Sequence, residues 1–303
     1  MRKKITLSYI GLSLMTLIIG MSFIFVKIGI KNTSPYDLLA HRFNIGFISV
    51  AILYAFKVVK LPKISRKDWF RVIAISLFYP VLCFGFQAVG MQYSTASEAG
   101  VIFAFLPVFM LVVGRIFLKE TTTTIQKIGV VLSVIGLVYI FWHKSGINTE
   151  NTLGIVLLLI SVLSMIGYFV MGKKIIVRYD SMSLTVVMMF MGFLIFNAIS
   201  FYGHIKNDTI SQYFTPLQNA EFTVSVLYLG ILSSVLSSFL SNYALQYIPA
   251  SKISIFSNLN PIIAIVAGVL LLKERFTPYD FAGSITVLFG VALVLVFKPK
   301  LDN

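Results

Sequence analysis

Residues 93–120 read YSTASEAGVIFAFLPVFMLVVGRIFLKE, and residues 247–274 read YIPASKISIFSNLNPIIAIVAGVLLLKE. Tyr93 answers to Tyr247, Ala96-Ser97 to Ala250-Ser251, Pro107 to Pro261, and Leu118-Lys119-Glu120 to Leu272-Lys273-Glu274, each about 154 residues later. Beyond this block Gly129 and Gly136 recur as Gly283 and Gly290, and upstream Phe23 and Lys27 have weaker counterparts in Phe169 and Lys173. The chain reads as a duplication, with a first half over 1–146 and a second over 147–303.

Each copy of the block carries an apolar run of about 20 residues, the length that crosses roughly 30 Å of hydrocarbon. Such runs recur at about 5–30, 36–56, 69–92, 96–118, 125–142, 153–173, 182–203, 223–246, 250–272 and 279–297. The composition agrees: 58% of the residues are hydrophobic and 12% charged, against about 25% charged in a soluble domain. A lipid-facing barrel strand needs only about ten residues of strict alternation, whereas these runs are twice as long and apolar on every side. The expectation is an all-α membrane protein of ten transmembrane helices. Because five helices per half is an odd number, the halves must enter the membrane from opposite sides, giving two inverted five-helix repeats. In transporters of that design the substrate sits between the repeats near the midplane.

The net charge of +14 would suggest nucleic acid in a soluble protein, but Lys and Arg cluster in short segments between apolar runs, so no nucleic-acid partner is expected. With the N-terminus inside, about eighteen basic residues fall in cytoplasmic segments and about six in the opposite loops. This bias puts both termini in the cytoplasm of a multi-pass cell-membrane protein of bacterial character, with the lipid bilayer as its surroundings. The run after Arg2-Lys3-Lys4 continues to Ile30 without a small-x-small cleavage site and reads as a retained first helix. A single cysteine, Cys83, excludes an internal disulfide and a cysteine metal site.

Charged and polar residues within apolar runs are the candidates for function. Lys27 and Arg42 lie several residues inside the outer ends of spans 1 and 2, where they either face a cavity or snorkel to headgroups. His41, beside Arg42, points about 100° away on a helix and is a second titratable candidate. Gln87, Asn242, Gln246 and Asn258, with Gln92, Ser238, Ser241 and Asn260, concentrate in spans 3, 8 and 9 and suggest a cavity wall, because buried polar groups require partners. Phe23, Tyr79, Phe86, Phe103 and Tyr168 are aromatic candidates for the same space. Pro107 and Pro261 remove a backbone donor inside spans 4 and 9 and are candidate hinges. Thr95 and Glu98 have capping-box spacing at the start of span 4. Glu120 and Glu274 end their helices beside Lys119 and Lys273, which reads as interfacial ion pairing with a part in fold or gating.

Gly20-x-x-Phe23-x-x-x-Lys27, Arg42-Phe43 and the twice-occurring Tyr-x-x-Ala-Ser, Pro, Leu-Lys-Glu block resemble the EamA-type ten-helix members of the drug/metabolite transporter superfamily. The resemblance covers essentially the whole chain. It implies a 5+5 inverted bundle around a central cavity that moves small metabolites such as amino acids, by export or import. Many members carry Trp where this chain has Ile19 and Met165, so stacking by those tryptophans does not carry over.

No H-E-x-x-H, P-loop, G-x-G-x-x-G or G-x-S-x-G pattern is present, and His41, His143 and His204 are too scattered for a triad or metal. An enzyme is therefore not expected, nor a cofactor or metal. The expected function is secondary transport, in the export direction, by alternating access. A lipid-linked substrate flippase or drug-efflux carrier of the same superfamily is the alternative, and a membrane scaffold or intramembrane enzyme is the reading from a different class. Positive charge at Lys27 and Arg42 with no carboxylate near any midplane favours a substrate bearing a carboxylate. A homodimer is compatible with the sequence.

Overall fold

The computed structural model describes residues 2–59, 64–117, 123–145, 149–176, 178–248, 253 and 259–296. All regular structure among the described residues is helical. In chain order the α-helices are α1 (Arg2–Asn32), α2 (Pro35–Ala55), α3 (Arg66–Ser76), α4 (Cys83–Gly90), α5 (Ala96–Phe103), α6 (Leu106–Phe117), α7 (Thr124–Ser145), α8 (Thr149–Ile176), α9 (Ser181–Lys206), α10 (Ala220–Leu227), α11 (Ser237–Tyr247), α12 (Leu259–Leu272) and α13 (Pro278–Val296). Among the described residues seven uninterrupted or nearly continuous helical segments are long and apolar enough to cross a membrane, and three shorter apolar helices, Thr124–Ile140, Ile262–Leu272 and Pro278–Leu293, occupy further apolar runs.

The distribution of side chains is that of a protein whose solvent is lipid. On α1, Leu7, Ile10, Leu14 and Leu17 are exposed, while Ser8, Thr16 and Ser22 are buried. Those buried hydroxyls are satisfied within the helix: Ser8 donates to the Lys4 carbonyl (2.9 Å), Thr16 to Leu12 (2.8 Å) and Ser22 to Ile19 (2.7 Å).

Helix starts follow local capping chemistry. Ser34 accepts from the Asp37 amide at 3.1 Å with Pro35 in the first turn of α2. Thr95 and Glu98 form the expected capping box: the Glu98 amide donates to Thr95 Oγ1 (3.1 Å) and the Thr95 amide to Glu98 Oε2 (2.6 Å). Thr277 and Asp280 repeat the device before α13. Pro107 has no N–H for the carbonyl of Phe103, and the regular helix stops there; Ala104 and Phe105 form a turn before α6 begins.

Two helices are interrupted by π-helical stretches, Leu77–Leu82 between α3 and α4 and Tyr228–Leu236 between α10 and α11. The first contains Tyr79 in extended backbone (φ −141°, ψ 116°) ahead of Pro80. Shifted by the repeat interval of about 154 residues, it falls on 231–236, inside the second. Freed backbone polar groups at membrane depth are tolerated only where protein or a cavity covers them, and Tyr79, Pro80, Ser233, Ser234 and Val235 are all buried.

α2 and α9 pack antiparallel: the Asn44 carboxamide oxygen accepts from Asn197 Nδ2 at 2.7 Å, and the Phe47 ring stacks on Phe193 at 4.8 Å. α7 and α13 also pack antiparallel, through glycines. A Cβ on Gly136 would stand 2.8 Å from the Gly283 carbonyl oxygen, and one on Gly290 would stand 2.5 Å from the Gly129 oxygen. Between these contacts Ser133 Oγ donates to the Val287 carbonyl at 3.3 Å. Only glycine lets the two backbones approach this closely. α1 packs on α11 and α12, α4 on α8, and α5 on α12.

Candidate functional site

Arg42 stands two turns into α2, about 10 Å along the axis from Pro35, and is 1% exposed. Its Nε donates to Ser234 Oγ (2.7 Å) and its Nη2 to Ser233 Oγ (3.1 Å), both on the π stretch before α11. The guanidinium lies 3.7 Å from the ring centroid of Phe84 and 5.8 Å from that of Phe43. Among the described residues no carboxylate pairs with it and Nη1 has no hydrogen-bond partner. Arg42 thus bridges the first half's interrupted helix, through Phe84, and the second half's, through Ser233 and Ser234.

A chain of contacts leads on from Phe84. Its ring meets Tyr79 at 5.0 Å, Tyr79 meets Tyr168 of α8 at 4.9 Å, and the Tyr168 hydroxyl donates to Asn242 Oδ1 at 2.8 Å. Asn242 Nδ2 donates to Thr185 Oγ1 (3.1 Å) and to the Ser181 carbonyl (3.4 Å). Ser233, Ser234, Ser237, Ser238, Ser241 and Asn242 are buried along one face of the π stretch and α11. Ser237 donates to the Ser233 carbonyl, whereas Ser238 Oγ, fully buried one turn beyond Ser234, lies within reach of the Tyr79 hydroxyl without a hydrogen bond of good geometry. Four residues read as candidates from the sequence therefore share one cluster: Arg42, Tyr79, Tyr168 and Asn242. Ser233, Ser234 and Phe84 join them and were missed, because in sequence they are ordinary small or aromatic residues of an apolar run; the polar i, i+4 spacing of Ser234, Ser238 and Asn242 was the available signal.

Other candidates stand elsewhere. The Lys27 ammonium donates to the carbonyls of Met91 (2.7 Å) and Ser94 (2.6 Å), closing the C-terminal end of α4. His41 Nε2 contacts the Tyr213 carbonyl (2.8 Å), with its ring among Tyr213, Phe214 and Phe222. Gln246 donates to the carbonyls of Ile176 (3.4 Å) and Tyr179 (2.8 Å) after α8. Phe23 and Phe103 meet edge to face at 5.2 Å between α1 and α5. Gln87 is buried and Phe86 half-buried on α4. Asn258 and Glu120 lie outside the described residues. The backbones of Pro107 and Pro261 lie in the first turns of α6 and α12.

Glu274 does not end its helix as an ion pair with Lys273. Lys273 takes a left-handed conformation (φ 54°), the chain reverses, and the Glu274 amide bonds back to Gly268 at 3.1 Å. The carboxylate then accepts from the Ala96 amide (2.8 Å), the Ser97 amide (3.1 Å) and Ser97 Oγ (2.6 Å), at the N-terminus of α5. An anion there meets unsatisfied N–H groups and the positive end of the helix dipole.

Tyr213, in the loop after α9, is a hub that the sequence did not reveal. Its hydroxyl donates to Asn197 Oδ1 (2.7 Å) and accepts from Asn44 Nδ2 (2.8 Å), which closes a three-membered ring with the Asn44–Asn197 bond. Burial raises the pKa of this phenol above its ordinary value, opposed by the Asn44 hydrogen bond. Nearby, Asp37 accepts from Ser200 Oγ (2.5 Å) and pairs with His204 Nε2 (3.2 Å).

The EamA-like transporter family profile matches residues 6–142 and, a second time, residues 152–296. The chain belongs to the EamA-like transporter family. Relatives of this EamA-like transporter include the uncharacterized transporter YcxC of Bacillus subtilis, 41% identical over 288 residues with 94% of this chain and 92% of the relative covered. An uncharacterized transporter of Archaeoglobus fulgidus is 28% identical, with 95% and 98% covered. A crystal structure with a TM-score of 0.61 and 16% identity covers 93% of this chain and 98% of its own, a likeness of fold. The protein is a membrane transporter and not an enzyme, and the superfamily implied by its motifs is the one to which it belongs.

Proposed function

We propose that this EamA-like transporter is a secondary carrier that moves small carboxylate-bearing metabolites, the class to which amino acids belong, across the cytoplasmic membrane by alternating access, in the export direction under an outward gradient. In this reading ten spans form two five-helix halves, 1–146 and 147–303, inserted in opposite senses with both termini cytoplasmic. Several contacts support it. The repeat-equivalent helices α2 and α9, and α7 and α13, run antiparallel, as inversion requires. The glycine contacts are reciprocal: Gly136 meets Gly283, the counterpart of Gly129, while Gly129 meets Gly290, the counterpart of Gly136. The two π-helical interruptions occupy the same place in each half, and broken helices facing one another across a repeat interface are where transporters hold substrate.

The observation that carries the substrate class is Arg42, a buried cation without a carboxylate, held between the interrupted helices of both halves. A buried charge is costly unless compensated, and an anionic substrate supplies the compensation. The aromatic and hydroxyl groups around it suit a compact organic body.

Counterflow in liposomes tests this reading. Vesicles preloaded with unlabelled carboxylates should accumulate the labelled compound, with little dependence on an imposed pH step. Arg42→Gln should weaken apparent affinity at least about tenfold, and Arg42→Lys should retain part of it. Transport restricted to organic cations, or counterflow indifferent to Arg42→Gln, would refute the reading.

A further inference from the structure

The charge around Arg42 narrows the substrate further, given that this residue is the anchor of the carrier proposed above. The chain has eleven acidic residues, and none stands within a span near Arg42. Asp37, Asp68, Glu98, Glu221 and Asp280 lie in first helical turns, and Asp180 is an N-cap. Glu150 is the second residue of α8, Asp208 is in a loop, and Glu274 is committed to the start of α5. Glu120 follows an apolar run and Asp302 ends the chain in sequence.

The second pole of the cluster is equally without an anion. Asn242 Oδ1, the natural acceptor for an ammonium group, already accepts from Tyr168, and its Nδ2 is committed to Thr185 and Ser181. The nearest aromatic face, that of Phe84, is covered by the guanidinium itself. An incoming ammonium group would therefore bring a second positive charge beside the guanidinium, with no carboxylate among the described residues to balance it and with the Phe84 face already taken.

Donors, by contrast, are in surplus. Arg42 has five N–H groups and two hydrogen bonds, with Nη1 unused, and the Ser238 hydroxyl one turn beyond Ser234 is buried beside the Tyr79 hydroxyl with no hydrogen bond of good geometry. We propose that Arg42 and Ser238 receive the carboxylate of a monoanionic organic acid that lacks an ammonium group, and that the site discriminates against zwitterionic amino acids and against cations. Binding the monoanion leaves the centre neutral, whereas binding the zwitterion leaves it with a net charge of one in a low dielectric.

Matched panels that share one body and differ in charge test this. Phenylpropionate, phenylalanine and phenethylamine form one panel, and 4-methylpentanoate, leucine and isoamylamine another. Each compound competes for binding to the purified full-length carrier and for counterflow in liposomes. The acid is expected to bind at least about tenfold tighter than its amino-acid counterpart, and the amine not at all. Arg42→Gln should abolish that ordering and Arg42→Lys should preserve it, with both variants checked for a monodisperse elution profile. Ser238→Ala should weaken acid binding several-fold while leaving the folded protein intact, because the substitution removes only a poorly aligned contact with the Tyr79 hydroxyl.

An amino acid that binds as tightly as its deaminated counterpart, with that binding still dependent on Arg42, overturns the charge argument and leaves the carrier reading standing. Binding that ignores Arg42→Gln, or no binding by any member of either panel, overturns both.

Discussion

Replacing Glu274 with glutamine tests the tie between the end of α12 and the start of α5. The carboxylate accepts three hydrogen bonds at the start of α5, from Ala96 N (2.8 Å), Ser97 N (3.1 Å) and Ser97 Oγ (2.6 Å). Glutamine keeps one acceptor oxygen and turns an NH2 group towards the remaining donors, so at least one half-buried backbone donor loses its partner and the charge assistance disappears. With about 1–3 kcal/mol for each orphaned group, the cost is about 3 kcal/mol. At about 2–4 °C per kcal/mol for a chain of this size, the melting temperature should fall by roughly 6–12 °C. Cys83 is the only thiol and is buried, so its reaction with a thiol-reactive dye on heating reports unfolding in detergent directly. Gly268→Ala should act through the same tie, because its new Cβ would stand 2.5 Å from Glu274 Oε2 and 2.6 Å from Ser97 Oγ, and its cost should not add to that of Glu274→Gln. Lys273→Gly, which suits the left-handed φ of 54°, should be neutral or stabilising. A Glu274→Gln protein that melts with the wild type, or a Lys273→Gly protein that loses as much as Glu274→Gln, would refute this assignment and restore the ion pair.

Gly136→Leu should separate α7 from α13 at the contact with the Gly283 carbonyl and lower stability by about 1–3 kcal/mol, read by the same thiol assay; no change would remove the close approach. Tyr213→Phe should leave Asn44 and Asn197 each short of one partner and destabilise by about 1–3 kcal/mol, with hydrogen exchange rising first in the loop after α9. In a Cys83→Ser background, Asp208→Cys should react with an impermeant thiol reagent on intact cells and Lys67→Cys should not; both positions are exposed, and the reverse pattern would invert the proposed topology.

The features that the sequence displayed were those set by local chemistry. Apolar length marked the helical runs, Thr95 and Glu98 announced their capping box, and Pro107 announced the break before α6, since each depends on neighbours within one or two turns. The glycines at 129, 136, 283 and 290 signalled close packing, but which helix they would meet was not readable. Roles fixed by contacts between distant segments stayed hidden. Lys27 read as a charge that faces a cavity or snorkels to headgroups because nothing local shows that the end of α4 lies within its reach. Glu274 looked like half of an ion pair because its partner helix begins 178 residues earlier. Ser233 and Ser234 carried no individual signal until the structure placed them against Arg42, and the extended backbone at Tyr79 had only Pro80 as a hint.

The proposed site between the halves is tested most directly by the accessibility of Ser238, which is fully buried in this conformation. In a Cys83→Ser protein carrying Ser238→Cys, an impermeant thiol reagent should label the new cysteine from outside in right-side-out vesicles and from inside in inverted vesicles, as alternating access to one site requires. A bound carboxylate should slow the reaction from both faces, and Arg42→Gln should remove that protection. Labelling from one face only, or from neither, would contradict a substrate site that opens in turn to each side of the membrane.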